Sequence, residues 1–149
     1  MKKYIGSKIV EAEAMSRSEW HESKGWPITM EEGWDGEGYK VIYQDGYESW
    51  SPKEVFEAAY RRTDGMNFGL AIEAAKMGKR IARKGWNGKD QYVELGTDFT
   101  YRTLDGDGLL CYHEDIDTKA LVFVGTRGRQ VGWLASQADM LADDWMILE

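Results

Sequence analysis

The second half of the chain is organised around the stretch Arg83-Lys84-Gly85-Trp86-Asn87-Gly88-Lys89. Strand-like runs flank it, residues 81–84 before and residues 91–95 after. Asn-Gly favours the tight turn of a β-hairpin, so the stretch predicts a hairpin with a tryptophan and an asparagine at its tip. An ordinary hairpin with one packed tryptophan explains these residues, and a ligand-binding loop is the alternative.

The charge around this stretch favours the ligand-binding alternative. Between Met66 and Lys89 there are six basic residues and one acid, whereas residues 90–149 hold four basic and twelve acidic residues. An island of positive charge that carries an exposed aromatic ring suits an anionic ligand with a flat ring.

The rest of the second half predicts one helix before the stretch, and strands and a second helix after it. Asn67 caps the first helix, whose apolar residues recur every three or four positions and which ends at Gly78. The later strands are predicted at residues 99–103, 109–113, 121–124, 131–134 and 144–148, with a helix at 137–142. The acidic run 114–117 is predicted to be a solvated loop.

The first half predicts a β-α-β-β-α unit. Its elements are a strand at residues 3–13, a helix at 17–23, strands at 39–43 and 47–50, and a helix capped by Ser51. Ser16 and Glu19 have capping-box spacing, and Asp45-Gly46 marks the hairpin. The last helix is expected to bury the face formed by Val55, Phe56, Ala59 and Tyr60.

Aromatic residues are frequent in this first half. Core packing and cross-strand pairs explain most of them, and a ligand groove is the alternative. They are Trp26, Trp34, Tyr39, Tyr43, Tyr47 and Trp50.

The polar run 61–65, which ends in glycine, is typical of a linker. The chain therefore predicts an α+β fold of two small domains, residues 1–62 and 63–149. Each is expected to hold a short antiparallel sheet with one or two helices.

Composition excludes several functions. No apolar run approaches the ~20 residues that span a bilayer, and a net charge of −7 opposes nonspecific nucleic-acid binding. The single cysteine excludes an internal disulfide and fits a reducing compartment, so we expect the protein in the cytoplasm.

Catalytic and metal-binding residues are sparse. Cys111 and His113 fall on one face of a predicted strand and could be a nucleophile and its base, or two metal ligands, but no second cysteine or nearby third ligand completes either set. His21, beside Glu22 and Trp20, could belong to a site, but a histidine on the surface of a helix explains it. We therefore expect no enzyme activity, no metal and no cofactor.

Three segments, taken in order, carry a resemblance to a known family. They are Met66-Asn67-Phe68-Gly69, then the stretch from Arg83 to Lys89, then the run from Trp133 to Trp145, WLASQADMLADDW. Together they resemble the phage Thoeris anti-defence proteins of the second type, over residues 66–149. Ala135 stands where that family commonly has proline. The first half resembles a small phage-associated module of unassigned role.

The resemblance implies a sponge that binds cyclic nucleotide immune signals without cleaving them. Such proteins take up the cyclic ADP-ribose isomers made by bacterial TIR-domain enzymes, and some are reported to take up cyclic dinucleotides of the CBASS pathway. Homotetramers with ligand pockets at subunit interfaces are implied. The expected location is the cytoplasm of the infected host.

The residues themselves suggest how such a ligand is held. Trp86 offers a stacking face, Arg83, Lys84 and Lys89 can neutralise phosphates, and Asn87 can bind a purine edge or a ribose hydroxyl. Ser136 and Asp139, at a helix start, are candidates for ribose hydroxyls. The alternative function is an acidic DNA mimic, or another inhibitor that binds a host defence enzyme.

Overall fold

The structure is a computed structural model that describes residues 1–86 and 90–149. The chain divides into two compact units, unit 1 (Met1–Arg61) and unit 2 (Arg62–Glu149). Each unit pairs helices with one antiparallel sheet, of three strands in unit 1 and of five in unit 2. The predicted α+β class is confirmed.

Unit 1 is a three-stranded sheet in the order β1-β2-β3 with two helices. Its elements are β1 (Glu11–Ala14), α1 (Arg17–Lys24), β2 (Gly38–Ile42), β3 (Glu48–Pro52) and α2 (Lys53–Ala59). The predicted capping box is present, because the Ser16 hydroxyl accepts from the Glu19 N–H and the Glu19 carboxylate accepts from the Ser16 N–H. Trp20 and Val41 are its buried apolar residues.

Three predictions for unit 1 were wrong in detail. The first strand is shorter than expected, because residues 1–10 belong to no helix or strand. Helix α2 begins after Pro52 without a side-chain cap, so Ser51 does not cap it. The predicted buried face is also wrong, since no residue of α2 is buried and Val55 is 61% exposed. Phe56 is half-buried because its ring stacks between Tyr39 and Tyr60.

Unit 2 is a five-stranded antiparallel sheet in the order β7-β6-β5-β4-β8. Its elements are α3 (Phe68–Lys76), β4 (Arg80–Arg83), β5 (Tyr92–Leu104), β6 (Leu110–Gly125), β7 (Gly128–Val131), α4 (Gln137–Met140) and β8 (Trp145–Leu148). The Asn67 side chain accepts from the Leu70 N–H at 2.9 Å, which confirms the predicted cap of α3. Gly78 follows α3 with φ +84°, a conformation that favours glycine.

The core of unit 2 lies between α3 and the sheet. Small side chains of the helix let it approach the strands closely, and large side chains of β4, β5 and β8 fill the space opposite. The fully or nearly fully buried members are Met66, Ala71, Ala74, Ala75, Ile81, Val93 and Trp145. Strand β4 pairs with β8, with Ile81 opposite Ile147. The last strand of the chain therefore contributes to the same core as the inner strand β4.

Strands β5 and β6 are much longer than predicted. The runs 91–95 and 99–103 form one strand, and the expected acidic loop 114–117 lies inside β6. The register shifts between Thr97 and Phe99, where Asp98 and Asp117 both have positive φ and the Asp117 N–H donates to the Asp98 carboxylate at 2.6 Å. This β-bulge separates the base of the sheet from a two-stranded arm, residues 98–117.

Candidate functional site

Aromatic side chains from four parts of unit 2 meet on one side of its core. Trp145 is fully buried at the centre, and the ring of Trp86 lies edge-to-face against it, with centroids 5.5 Å apart. Trp86 also contacts Phe123 and Trp133 in the same geometry, at 5.6 and 6.1 Å. Edge-to-face packing of aromatic rings is favourable, so these contacts hold Trp86 in one orientation. The rest of its side chain is exposed to solvent, because Trp86 is only half-buried.

The indole N–H of Trp145 ties this cluster to the short helix α4. It donates to the Asp139 carbonyl oxygen at 2.8 Å, which satisfies the only polar group of a buried tryptophan. The backbone of Trp145 is held as well, because it exchanges two hydrogen bonds with Met66, at 2.8 and 3.0 Å. Residue Met66, which precedes α3, is thereby joined to β8.

Arg83 lies beside the cluster and forms ion pairs with two aspartates. Its Nε donates to one oxygen of Asp144 at 2.9 Å and its Nη2 to the other at 3.3 Å. Its Nη1 donates to Asp139 at 3.1 Å. The side chain of Arg83 is 23% exposed, that of Asp144 is 36% exposed and that of Asp139 is 16% exposed. Hydrogen bonds from Asp144, and then from Asp139, raise the pKa of Arg83 above its ordinary value.

Asp139 also closes the start of helix α4. Its carboxylate accepts from the Ser136 N–H at 3.0 Å, and its own N–H donates to the Ser136 hydroxyl oxygen at 3.1 Å, which together form a capping box. The Ser136 hydroxyl is also 2.7 Å from the Asp139 carboxylate. Burial opposes ionisation of Asp139, but the hydrogen bonds from Ser136 and Arg83 outweigh it and hold its pKa below the ordinary value. One carboxylate thus serves a helix start and a tertiary ion pair together.

The second half of the chain matches a family model described as the Thoeris anti-defense 2-like domain, over residues 66–148. A protein named Thoeris anti-defense 2, from Bacillus phage SP01, is 33% identical over 84 residues, which cover 56% of this chain and 94% of the phage protein.

The chain belongs to the Thoeris anti-defense 2-like family.

The resemblance identified from the sequence is thereby confirmed. The Thoeris anti-defense 2-like domain contains the whole aromatic cluster and the Arg83 ion pairs, while unit 1 lies outside the matched residues. Among the described residues, no helix is both long and apolar enough to cross a bilayer.

Within this domain, the structure brings together four of the seven predicted site residues. Hydrogen bonds link Asp139 to both Arg83 and Ser136. Trp86 packs against Trp145, whose indole N–H donates to the Asp139 carbonyl oxygen. Lys84 lies next to them and is exposed. Asn87 and Lys89 lie outside the described residues, so their predicted roles stay predictions.

Much of the predicted island of positive charge is compensated. Lys76 pairs with Glu73 at 2.8 Å, and the Arg80 guanidinium lies over the Tyr92 ring at 4.9 Å. Arg83 faces two carboxylates, so that triad carries a net negative charge. Among the described members of the island, Lys79 and Lys84 are the lysines that remain exposed without an ion pair.

Sequence reasoning missed Asp144 as a member of the site. The sequence placed Asp144 inside the predicted last strand, and the structure shows that this strand pairs with β4 so that Trp145 stands opposite Arg83. A pairing of β4 with β8 would therefore have placed an acid beside the arginine. Periodicity does not show which strands pair across 60 positions, so the ion pair could not be inferred.

Cys111 and His113 each contact other residues. The His113 Nε2 is 2.9 Å from the Thr103 hydroxyl, and the imidazole stacks on Tyr101 with centroids 4.9 Å apart. Cys111 is directed to the Leu109 carbonyl at 3.8 Å. In residues 1–86 and 90–149, no three His, Cys, Asp or Glu side chains are grouped so as to hold a metal ion.

Proposed function

We propose that this protein protects a phage against the Thoeris defence of its bacterial host by binding and withholding the cyclic nucleotide signal. The proposed ligands are glycocyclic ADP-ribose isomers, with cyclic dinucleotides of CBASS as a second class, and the ligand is released uncleaved. The observation that carries the proposal is the family match over residues 66–148. The proposed place of action is the cytoplasm of the infected cell.

The aromatic cluster supports a stacking role for Trp86. A ring that three neighbours hold from the side loses little freedom when a purine stacks on its exposed part. Stacking of a base on an aromatic side chain contributes about 1–3 kcal/mol. The packing that stabilises the core therefore also prepares the ring for a ligand.

The ion pairs suggest a division of roles among the polar residues. Arg83 uses three of its N–H donors on aspartates, and two remain. Because Asp139 and Asp144 outweigh its charge, this triad suits ribose hydroxyls better than phosphates. We assign the phosphates to Lys84 and Lys89, and the ribose to Ser136, Asp139 and Asp144. Asn87 retains its proposed contact with the base.

The β5–β6 arm supports self-association, and a homotetramer is the proposed state. Two-stranded ribbons are marginal in water without a partner surface. Six large apolar side chains of the arm are nevertheless exposed, namely Tyr101, Leu104, Leu109, Leu110, Tyr112 and Ile116. Contact with further copies of the chain would cover them, and it would place ligand pockets between subunits.

Direct binding tests the proposal. The protein is incubated with glycocyclic ADP-ribose or a cyclic dinucleotide, washed, heated, and the released compound is identified by mass spectrometry. Ligand at ~100 times Kd adds about 2.7 kcal/mol of stability, so a rise in Tm and intact ligand are expected. The absence of a thermal shift with every cyclic nucleotide, or the recovery of cleaved product alone, contradicts the proposal.

Variants can separate stacking and charge from stability. Trp86→Phe keeps an apolar ring in the cluster but reduces the stacking surface, and Lys84→Ala removes one proposed phosphate contact. Each should weaken binding about tenfold. Tm should stay near that of the parent in Lys84→Ala and fall in Trp86→Phe, because Trp86 packs against three rings, so affinities are compared well below both Tm values. Lys79→Ala is the matched control, because Lys79 is another exposed lysine of the same basic run. Equal affinity in Lys84→Ala and Lys79→Ala would contradict the assignment of Lys84.

A further inference from the structure

The two faces of the β5–β6 arm, residues 98–117, differ in composition. Residues that stand opposite each other in the ladder share a face, and so do alternate residues along each strand. One face, which we call the histidine face, includes Tyr101, Thr103, Cys111, His113 and Asp115. The other, which we call the leucine face, includes Arg102, Leu104, Leu110, Tyr112, Glu114 and Ile116. A partner of the arm therefore meets one of two distinct surfaces.

Side chains of the histidine face contact one another. The His113 imidazole stacks on the Tyr101 ring, with centroids 4.9 Å apart, and its Nε2 is 2.9 Å from the Thr103 hydroxyl. These three residues come from both strands of the arm, so the two strands supply partners for each other on this face.

The leucine face has no such contacts. Its four large apolar side chains are between 47% and 75% exposed. In the part of the chain that the structure describes, the side chains of Arg102, Tyr112 and Glu114 form no hydrogen bond, ion pair or ring contact. A two-stranded ribbon with an uncovered apolar face is marginal in water, so a second layer on the leucine face would stabilise the arm.

The charges of the leucine face indicate which partner supplies that layer. It carries one arginine, Arg102, which stands opposite Tyr112, and one glutamate, Glu114, which stands opposite Thr100 in the next pair that faces the same way. A partner with a single sign of charge would leave one of the two unpaired. A second copy of the chain satisfies both, because a two-fold axis brings the arginine of each copy to the glutamate of the other.

The order of the pairs along the arm sets the direction of packing. From the tip to the bulge, the leucine face presents Leu104 with Leu110, Arg102 with Tyr112, Thr100 with Glu114, and then Ile116. In arms that run in opposite directions, the two charged pairs face each other across the axis, and the leucines of each tip face Ile116 of the other copy. In arms that run in the same direction, each pair faces its own counterpart, which places Arg102 against Tyr112.

The other acids of the arm do not oppose this contact strongly. Residues 98–117, all of which the structure describes, hold six acids and one arginine. Glu114 is the one acid on the leucine face, and the other five lie in the turn at the tip, in the bulge or on the histidine face. Solvent and salt screen such exposed charges over a Debye length of about 8 Å.

We propose that two copies of the chain pack the leucine faces of their arms together, in opposite directions about a two-fold axis, with Arg102 of each copy paired to Glu114 of the other. The pairing rests on the self-association proposed for the arm, and it adds the surface and the direction of that contact. It requires no nucleotide, and it leaves the histidine face open to solvent.

Charge reversal in separate copies tests the pairing. R102E places acids opposite acids, and E114R places arginines opposite arginines, so each variant alone should associate at least about tenfold more weakly than the parent. Light scattering of the full-length proteins at micromolar concentration should then give a smaller mass for each variant. Both side chains are exposed, so both variants should fold like the parent, which circular dichroism measures.

An equimolar mixture of R102E and E114R supplies the decisive result. In a mixed pair both contacts regain opposite charges, so the mixture should regain the parent's mass, and native mass spectrometry should find the two variants in equal numbers. Neither variant carries opposite charges at these two positions within its own arm, so contact inside one chain does not explain a recovery. A monomeric parent, a parent mass in either single variant, or a mixture that stays small overturns the proposal.

The matched control is D115R, which makes the same charge change as E114R one residue later and on the histidine face. It should keep the parent's mass. If D115R dissociates as E114R does, the net charge of the arm controls association and the proposed pairing is wrong. All masses are measured without nucleotide, so a protein that binds no cyclic nucleotide contradicts the proposed function and leaves this result unchanged.

Discussion

Both units gather tryptophans, but the two clusters differ in what surrounds them. In unit 2, Trp145 is completely buried and its neighbours are other aromatic rings. In unit 1, the rings are covered by cations: Arg17 lies 5.4 Å from both Trp34 and Trp50, and Lys24 lies 4.5 Å from Trp20. A tryptophan-rich sequence therefore does not by itself indicate a core.

The difference follows from the partners that each unit supplies. Helix α3 and four strands enclose the rings of unit 2, whereas the rings of unit 1 lie beside an eight-residue helix and a loop. His21 illustrates the second case, with its ring edge-to-face to Trp26 and Trp34 and its Nδ1 2.8 Å from the Pro27 carbonyl. Trp26 remains 52% exposed.

Removing the buried Trp145 from unit 2 and the half-exposed Trp26 from unit 1 should give the largest contrast. Trp145→Ala should cost about 3–5 kcal/mol in the free energy of unfolding of unit 2, because the cavity cannot be filled by its rigid neighbours. Trp26→Ala, at an exposed ring, should cost well under ~1 kcal/mol. Denaturant unfolding followed by circular dichroism measures both. A similar loss in the free energy of unfolding for the two variants would mean that the two tryptophan clusters stabilise their units to the same extent.

The next contrast concerns two arginines of unit 2 that bind carboxylates in the same two-point geometry. Arg83→Ala should cost about 1–3 kcal/mol, because it leaves two half-buried aspartates without their partner. Arg62 donates from Nε and Nη2 to Asp64 at 2.9 and 2.8 Å but is 86% exposed, so Arg62→Ala should unfold like the parent. Chemical denaturation compares them. If Arg62→Ala lowers the free energy of unfolding more than Arg83→Ala does, burial does not explain the stabilising contribution of the Arg83 ion pairs.

The smallest effect is on the response to acid. The folded-state pKa of Asp139 lies below its ordinary value of 3.8, so its stabilising contribution is complete above that pH. It is lost as the pH falls through the folded-state pKa. Below about pH 4, the stability of unit 2 should therefore fall less steeply in Asp139→Asn than in the parent. Unfolding curves recorded from about pH 6 downwards, to well below the ordinary carboxyl pKa, measure the slopes, and parallel curves for the two proteins would show that Asp139 does not contribute.

The sequence predicted the elements that depend on neighbouring residues. Ser16 with Glu19 forms a capping box and Asn67 caps its helix, as their positions in the sequence indicated. The hairpin at Asp45-Gly46 also forms where it was predicted, with β2 paired to β3. In each case the deciding contact spans three or four residues, which periodicity and cap chemistry can show.

The sequence could not show contacts between distant positions. Trp86 was expected to be exposed, yet it is half-buried because Phe123, Trp133 and Trp145 converge on it. Arg83 was expected to face a ligand, but it also forms ion pairs with Asp139 and Asp144, which lie 56 and 61 positions later in the sequence. The ligand contacts of both residues remain predictions. The acidic run 114–117 was assigned to a loop because charge outweighed strand propensity, whereas pairing with β5 holds most of it in a strand.

The bulge at Asp98 and Asp117 has a consequence for how members of this family can diverge. Ladder pairing restarts beyond it, at Phe99 opposite Asp115, so insertions and deletions farther out leave the register of the base unchanged. Removing two residues from each strand would preserve which side chains share a face, whereas removing one would exchange the two faces. Relatives are therefore expected to differ in arm length by even steps, while the distance from the bulge to the tryptophan cluster stays constant.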